Sequence, residues 1–465
     1  MPDPQLLPDF RWGVATSAYQ IEGATTADGR GPSIWDTFTH DGDHVADGTT
    51  GDVACDHYRR YREDVALMAD LGVNAYRFSL AWPRIQPSGT GAGNPDGLAF
   101  YDRLVDSLLE RGIGPVATLY HWDLPLTLQA TGGWTARETG YRFADYAAIV
   151  SAALGDRVRL WITLNEPAIH TIHGHFWGMH APGLQLFDDP FPVAHHQLLG
   201  HGLAVAALRA NSAAPVAIAN NYSPAWAVGP DGERGSATDE DRAAADAYDV
   251  FHNRLYTDPL LLGRYPDGLH GFSGADRLAG ENDLVRPGDL ATISTRLDAL
   301  GVNYYNPAGI GAPSWPGPLP YDMRLIEGFP TTYFGWPVVP DGLRDLLVSL
   351  RRQYGDRLPN LYVTESGCSY EDVPGPDGTV DDVDRIAYLS GHVDAVRAAV
   401  AAGVPVRGYF VWSLLDNFEW AEGFTKRFGL VHVDFGTQRR TPKASYAWYR
   451  ALIRSEIAGL PPRSR

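Results

Sequence analysis

The segment Leu160-Trp-Ile-Thr-Leu-Asn-Glu-Pro167 joins a run of mostly apolar residues to a polar end. A helical pattern near residues 138–154 precedes it, so we predict a helix followed by a buried strand at Leu160–Leu164. The strand leads directly into Asn165, Glu166 and Pro167. The strand is therefore followed directly by polar side chains that can take part in a reaction.

The same unit of helix, strand and polar end recurs along the chain. The predicted strands cover residues 12–19, 73–79, 115–120, Leu160–Leu164, Val216–Ala219, Leu300–Tyr305, Leu361–Thr364 and Val406–Trp412, and the predicted helices lie near 56–71, 99–111, 138–154, 195–210 and 384–402. Eight apolar strands separated by helical patterns predict an α/β fold, a single (β/α)8 TIM barrel. No linker, internal repeat or low-complexity tract interrupts the pattern, so we assign residues 1–465 to one catalytic domain.

Polar or aromatic side chains occupy the predicted C-terminal ends of all eight strands. In strand order they are Gln20, Arg77, His121, Asn165 with Glu166, Asn220, Asn303 with Tyr305, Glu365 and Trp412. In a (β/α)8 barrel these strand ends share one face, and that face carries the active site. Two long segments, 222–297 and 306–360, are expected to be loops that form a deep pocket there.

The composition excludes several kinds of partner. The formal net charge is −18, which disfavours nucleic acid and anionic membranes because both require a basic surface. No run of about 18 apolar residues occurs, so no segment is predicted to span a membrane. Residues 1–10 lack the regions of a secretory signal, and two cysteines build neither a disulfide framework nor a CxxC metal site. We expect a cytoplasmic enzyme.

Two glutamates at strand ends have the chemistry of a glycosidase. Hydrolysis of a glycosidic bond requires one carboxyl group that arrives protonated and one that is ionised. Glu166 and Glu365 end the fourth and seventh strands, and inward side chains there could meet at the roughly 5–5.5 Å separation of retaining enzymes. Arg77 could keep one carboxylate ionised, and Tyr305 could donate a hydrogen bond to it. Pro167 predicts an extended backbone for Glu166.

Eight motifs run in order along the chain. They are Phe10-Arg-Trp-Gly-Val-Ala-Thr-Ser-Ala-Tyr-Gln-Ile-Glu-Gly23, Arg77-Phe-Ser79, His121-Trp-Asp-Leu-Pro125, Thr163-Leu-Asn-Glu-Pro167, Gly301-Val-Asn-Tyr-Tyr305, Thr364-Glu-Ser-Gly367, Trp412-Ser-Leu-Leu-Asp-Asn-Phe-Glu-Trp420 and Arg427-Phe-Gly-Leu430. Together they resemble glycoside hydrolase family 1, the β-glucosidase family, over essentially the whole chain. The resemblance implies a retaining β-glycosidase that removes terminal β-D-glucosyl residues through a covalent glycosyl-enzyme. It implies Glu166 as acid/base, Glu365 as nucleophile, and no cofactor or metal.

The resemblance also implies a set of residues that bind the sugar. Family positions that hydrogen-bond the glycone hydroxyls match Gln20, His121, Trp122, Asn165, Glu419 and Trp420, and we add Asn303 and Tyr305 to the binding set. Asn165 is expected at the 2-hydroxyl, where contacts strengthen in the transition state. Trp412 matches the residue that stacks under the ring, and Trp336 the one that flanks the aglycone.

The sequence specifies the substrate only in part. Glucose, galactose and fucose all remain open as the glycone, and the partner is expected to be a small β-glycoside or a short oligosaccharide. Glu419 is expected to be anionic and to disfavour a 6-phosphorylated sugar. The family usually has Asn after the nucleophile, and this chain has Ser366 there. The resemblance therefore gives no prediction for the hydrogen bonds beside Glu365.

Three other functions fit the sequence less well than a glycosidase. A metal-dependent hydrolase would use His170, His173 and His175, but the other strand ends lack matching ligands. A sugar-binding protein without catalysis would have lost one of the two glutamates, and both are present. A serine hydrolase is disfavoured because Thr364-Glu-Ser-Gly367 is not the GxSxG nucleophile elbow.

Overall fold

Eight parallel strands close into a barrel in the computed structural model, which describes residue 6 and residues 9–458. In chain order the strands are β1 (Arg11–Ala15), β2 (Ala75–Ser79), β3 (Gly114–Tyr120), β4 (Leu160–Asn165), β5 (Val216–Asn221), β6 (Ala299–Asn303), β7 (Asn360–Ser366) and β8 (Val406–Trp412). Each strand pairs with the next, and β8 pairs with β1, so the barrel sheet has no edge. The predicted (β/α)8 barrel is confirmed.

Helices follow the strands and cover the outside of the barrel. The long helices are His57–Leu71, Pro95–Leu109, Glu138–Leu154, Phe191–Asn211, Pro340–Tyr354, Val383–Ala401 and Ala444–Ala458, and three shorter ones, Asp239–Tyr248, Asp258–Leu262 and Asp289–Ile293, lie between β5 and β6. The five predicted helices are present. The one predicted from residue 99 begins earlier, because the side chain of Asn94 accepts a hydrogen bond from Asp96 N and Pro95 occupies the first turn.

Side chains of the strands alternate between the barrel interior and the layer beneath the helices, as a period of two requires. The interior cluster consists of Ala15, Ala75, Val116, Leu160, Ile162, Ala217, Ala219, Ala299, Phe410, Trp412 and Phe428. These side chains fill the barrel, so it is a packed core and not a pore. The polar groups of the strand ends lie above this interior cluster.

Two strands end earlier than predicted. β1 stops at Ala15, and residues Ala18–Ile21 form a short helix whose first amide donates to the hydroxyl of Ser79 at 2.7 Å. The Ser79 hydroxyl takes the place of a main-chain carbonyl of the neighbouring strand as the acceptor, and the strand ends there. β6 stops at Asn303, so Tyr305 lies in the loop beyond it.

The loops that follow β5 and β6 carry structure of their own. Strands Ala225–Ala227, Ala308–Gly311 and Asp322–Arg324 form a small sheet, and Val431–Asp434 pairs with Arg439–Pro442 near the end of the chain. Among the helices of the described residues, none has the length and apolar character needed to cross a membrane. Residues 1–5, part of the segment that we read for a secretory signal, lie outside the described residues.

A buried ion network ties together the segments that follow β7 and β8. Lys443 is buried, and its ammonium donates to Asp372 at 2.5 Å and to Asp416 at 2.7 Å. Arg385 joins the same network through Asp372 and Asp382. Asp372 follows β7, Asp416 follows β8 and Lys443 precedes the last helix, so one ammonium holds three segments of the chain in place.

Replacing this cation is expected to destabilise the fold strongly. Lys443→Met keeps the length of the side chain but leaves Asp372 and Asp416 buried without the central positive charge. We expect the free energy of unfolding, measured in urea, to fall by about 3–5 kcal/mol. Arg242→Met is a matched control, because Arg242 pairs with Asp239 at 2.7 Å on the surface. It should change the free energy by less than about 0.5 kcal/mol, and equal losses in the two variants would contradict the role of Lys443.

Candidate active site

Irregularities in β4 and β7 aim the candidate catalytic segments into the mouth of the barrel. The pairing of β4 with β5 shifts between Ile162 and Asn165, and the pairing of β7 with β6 shifts between Val363 and Glu365. A bulge breaks the strict alternation of a strand and redirects the side chain that follows. Thr364 and Glu365, although adjacent, both bond to residues of the site as a result.

A continuous chain of hydrogen bonds connects the two glutamates. Arg77 on β2 donates to Glu365 Oε1 and to Asn165 Oδ1, each at 2.5 Å. Asn303 on β6 donates to the same Asn165 oxygen at 3.0 Å and to Glu166 Oε1 at 2.9 Å. Predicted residues from four strands therefore meet in one network.

Glu365 is held at both carboxylate oxygens. Arg77 pairs with one oxygen, and the hydroxyl of Tyr305 donates to the other at 2.6 Å. Burial raises the pKa of the Tyr305 phenol well above its ordinary value, so the phenol keeps its proton and remains a donor. Arg77 is itself fixed by hydrogen bonds to Thr118 Oγ1 at 3.2 Å and to the carbonyl of Thr364 at 3.1 Å. A carboxylate oriented by a cation and a phenol is suited to act as a nucleophile.

Glu166 has the opposite environment. Burial raises its pKa to about 8, and the negative charge of Glu365 contributes in the same direction. Hydrogen bonds from Asn303 and Asn221 and the charge of Arg77 act against this rise without cancelling it. A carboxyl group with this pKa carries a proton at neutral pH and can give it to a leaving group.

The backbone of Glu166 differs from the prediction. Its φ and ψ are 48° and 61°, a left-handed conformation, so the extended backbone expected from Pro167 is wrong. Tertiary contacts override the local preference, because Glu166 N donates to the carbonyl of Ala219 at 2.7 Å. Trp122 and Trp420 also have positive φ, 79° and 49°. Left-handed backbone in non-glycine residues is costly and concentrates at functional sites.

Asn221, and not Asn220, is the residue of β5 that reaches the site. Its Nδ2 donates to Glu166 Oε1 at 3.0 Å, whereas Asn220 donates to a main-chain carbonyl. The strand pattern contained this signal, since Ala217 and Ala219 line the barrel interior and Asn221 lies on the same side. Asn220 is the first polar residue of the strand end, but its side chain does not point into the barrel, so the prediction of Asn220 is wrong.

His121 is a neutral ring that is fixed by Asn165. Burial and the charge of Arg77 lower its pKa well below the ordinary value, so the ring is neutral. Asn165 Oδ1 accepts from Arg77, so its Nδ2 is the group that donates to His121 Nε2 at 3.0 Å. The ring proton therefore lies on Nδ1, which is buried and has no protein partner within residues 9–458.

Glu419 does not have the charge that the sequence suggested. Burial raises its pKa to about 8, and the charges of Glu365 and Glu166 contribute further, so Glu419 holds a proton at neutral pH. The physical reason is that three glutamates share one desolvated pocket, where a second negative charge is expensive. Gln20 Nε2 donates to Glu419 Oε2 at 3.3 Å and to the carbonyl of Phe418 at 2.9 Å.

Tryptophans form one wall of the site. The ring centroid of Trp420 lies 4.5 Å from that of Trp122 and 4.6 Å from that of Trp35. Trp35 is fully buried and was not anticipated, because nothing in its sequence context sets it apart from a core residue. The indole N–H of Trp122 donates to the carbonyl of Asn165 at 2.9 Å, so this donor is already engaged.

Two further tryptophans occupy the floor and the mouth. Trp412, at the end of β8, lies parallel to His121 with ring centroids 5.8 Å apart. Trp336 contacts Tyr305 at 5.5 Å between centroids and stacks on Phe334 at 4.4 Å. Trp336 is therefore adjacent to the residue that holds Glu365.

Of the histidines considered as metal ligands, His170 and His175 are buried and bonded within the protein, and His173 is half-buried. His170 Nε2 lies 3.1 Å from the hydroxyl of Tyr120, and His175 Nδ1 lies 3.0 Å from the carbonyl of His170. Burial lowers the pKa of all three, including His173, so they are neutral. Over residue 6 and residues 9–458, no three His, Cys, Asp or Glu side chains group closely enough to hold a metal ion.

Known proteins match this fold and sequence over nearly their whole length. The model of glycosyl hydrolase family 1 matches residues 3–457. β-Glucosidase A of Thermotoga maritima is 43% identical, with 96% of this chain and 97% of that protein covered, and thermostable β-glucosidase B of Thermobispora bispora is 49% identical, with 96% and 90% covered. The structure of the family 1 β-glucosidase of T. maritima in complex with isofagomine lactam superposes with a TM-score of 0.91 at 42% identity, covering 97% and 99% of the two chains. The motifs, the barrel and these matches agree, and the chain belongs to glycosyl hydrolase family 1.

Proposed function

We propose that this enzyme is a retaining β-glucosidase in which Glu365 is the nucleophile and Glu166 the acid/base. The observation that carries the proposal is the contrast between the two carboxyl groups. Glu365 is paired with Arg77 and Tyr305, whereas burial gives Glu166 a pKa of about 8. A double displacement needs one ionised and one protonated carboxyl group at the start.

In the first step Glu365 attacks the anomeric carbon while Glu166 protonates the leaving oxygen, so the aglycone departs and a glycosyl ester forms. Ester formation removes the negative charge of Glu365. Because that charge helped to raise the pKa of Glu166, the pKa now falls. Glu166 can then take a proton from water, which attacks the ester from the opposite face and releases the sugar with its original configuration.

The glycone is placed between polar groups and aromatic rings. His121, Gln20 and Glu419 supply hydrogen-bonding groups, and Trp412 supplies an apolar surface for one face of the ring. Asn165 contacts Arg77 and His121 and is assigned to the 2-hydroxyl. β-Glucosides are the preferred substrates, because two relatives that are 43% and 49% identical are named β-glucosidases.

Two broader assignments belong to the same proposal. Residues 1–465 act as one catalytic domain whose substrate is a small β-glycoside or a short oligosaccharide, and the chemistry runs on carboxyl groups without a cofactor. The enzyme works in the cytoplasm. Cys55 and Cys368 support this location, because both are buried free thiols, as is typical of a reducing compartment.

Azide rescue tests both glutamates at once. Glu365→Gly removes the nucleophile and leaves space beside the anomeric carbon, so azide attacks β-glucosyl fluoride directly and gives an α-glucosyl azide. Glu166→Ala keeps the nucleophile, so azide attacks the glycosyl ester and gives a β-glucosyl azide. NMR of the products distinguishes the anomers. If both variants give the same anomer, the assigned roles are wrong.

The pH dependence follows from the pKa of Glu166. The acid must be protonated, so kcat/KM is expected to fall as the pH rises through about 8, where Glu166 loses its proton. In Glu166→Gln the side chain does not titrate, so this basic limb should disappear. A dinitrophenyl glucoside is the substrate for this comparison, because its good leaving group keeps the variant active enough to measure. A basic limb that persists unchanged in the variant rules out Glu166 as the acid.

A phosphate on the 6-hydroxyl is expected to be rejected. Glu419 offers a protonated carboxyl beside the neutral amide of Gln20, and Glu365 contributes negative charge to the same pocket. A dianion would gain no compensating cation from these groups and would lose its hydration. The value of kcat/KM for nitrophenyl 6-phospho-β-glucoside should be lower than for nitrophenyl β-glucoside by about 100-fold or more. Comparable kcat/KM values for the two substrates would show that a cation not identified above binds the phosphate.

A further inference from the structure

Lys426 connects the loop that follows β8 to the loop that follows β6. Its ammonium donates a hydrogen bond to the carbonyl of Tyr333 at 3.2 Å. The same ammonium lies 4.2 Å from the centroid of the Tyr333 ring and 4.9 Å from that of Phe334. Glu422, on the loop of Lys426, is 3.8 Å away. A cation over two aromatic rings that also donates to a main-chain carbonyl is a fixed contact between the loops.

This contact continues to the mouth of the active site. The rings of Phe334 and Trp336 stack with an interplanar angle of 9° and centroids 4.4 Å apart. Trp336 also contacts Tyr305, with ring centroids 5.5 Å apart, and Phe428, with centroids 6.3 Å apart. Thr332 N donates to the carbonyl of Trp336 at 2.9 Å, which closes the turn that carries both aromatic residues. Phe334, and through it the Lys426 ammonium, therefore contributes to the position of Trp336.

We propose that Lys426 is a specificity-determining residue that positions Trp336 against the aglycone. The inference rests on the proposed role of Trp336 beside the aglycone. Only two of the 38 basic residues of the chain are lysines, Lys426 and Lys443, and the rest are arginines. A compact ammonium fits where one charge must meet a carbonyl and two ring faces, whereas a planar guanidinium needs a different arrangement.

The effect of Lys426 is confined to the aglycone because the nucleophile is held independently. Tyr305 donates to Glu365, and the hydroxyl of Tyr388 donates to the carbonyl of Tyr305 at 3.1 Å. Tyr388 lies on helix Val383–Ala401, behind the barrel, and not on either of the two linked loops. Loss of the Lys426 contact loosens Trp336 but leaves Tyr305 in place against Glu365.

Two substrates that share a glycone separate this role from catalysis. Cellobiose has a glucose as its aglycone, whereas the leaving group of β-glucosyl fluoride is one atom and touches no aglycone wall. Lys426→Met keeps the apolar stem and removes the charge and the donor. We expect kcat/KM for cellobiose to fall about threefold to thirtyfold, and that for β-glucosyl fluoride to stay within about twofold. Lys426→Arg retains the charge and should lose less on cellobiose than Lys426→Met.

Arg11→Met is the matched control. The Arg11 guanidinium lies 5.6 Å from the centroid of the Tyr362 ring and donates to the carbonyl of Arg159 at 3.3 Å. It makes the same two kinds of contact as Lys426, but at the N-terminal end of β1, away from the mouth. Both activities of this variant should remain within about twofold of the wild type.

The outcomes distinguish this inference from the proposed function beneath it. If Lys426→Met loses activity equally on both substrates, or on neither, the inference is overturned. Trp336→Ala should lower cellobiose hydrolysis more than fluoride hydrolysis. If it does and Lys426→Met does not, Trp336 keeps its role and only the contribution of Lys426 is wrong. If Trp336→Ala shows no such difference, the aglycone assignment of Trp336 fails, and the inference about Lys426 fails with it.

Discussion

The buried guanidinium of Arg77 is the constraint on which the catalytic centre depends. It is 1% exposed, and its donors are distributed over Glu365, Asn165, Thr118 and the carbonyl of Thr364. A cation at this depth is tolerated only because all of these acceptors converge on it. The geometry of β2, β3, β4 and β7 is thereby coupled at one point, next to Glu365.

The surroundings of the pocket give chemically identical side chains different protonation states. Glu166 and Glu365 are buried and Glu419 is half-buried, and one largely desolvated cavity does not readily hold three negative charges. Glu365 has the cation and the phenol, so the other two retain their protons to a pKa of about 8. The proposed division into nucleophile and acid is therefore a property of the three glutamates together and not of any single one.

Much of this architecture could be predicted from local patterns. The eight strands follow from short apolar runs, and the helices from a period of 3.6, because both periodicities reflect burial of one face. The convergence of Arg77, Asn165, Asn303 and Glu365 follows from the rule that parallel strands present their C-terminal ends on one face. Asn221 was within reach of the same reasoning, since inward alternation from Ala219 leads to it.

Other features depend on contacts between segments that are distant in the chain. The bulges before Asn165 and Glu365 arise from pairing with neighbouring strands, and the left-handed backbone of Glu166 overrides the local effect of a following proline. The amino-acid order alone therefore specifies the barrel, the two glutamates and their family, because periodicity and motifs are local. The protonation of Glu166 and Glu419 and the link from Lys426 to the mouth arise only when distant groups share one dry pocket or meet across loops, because desolvation and Coulomb interaction depend on distance in space.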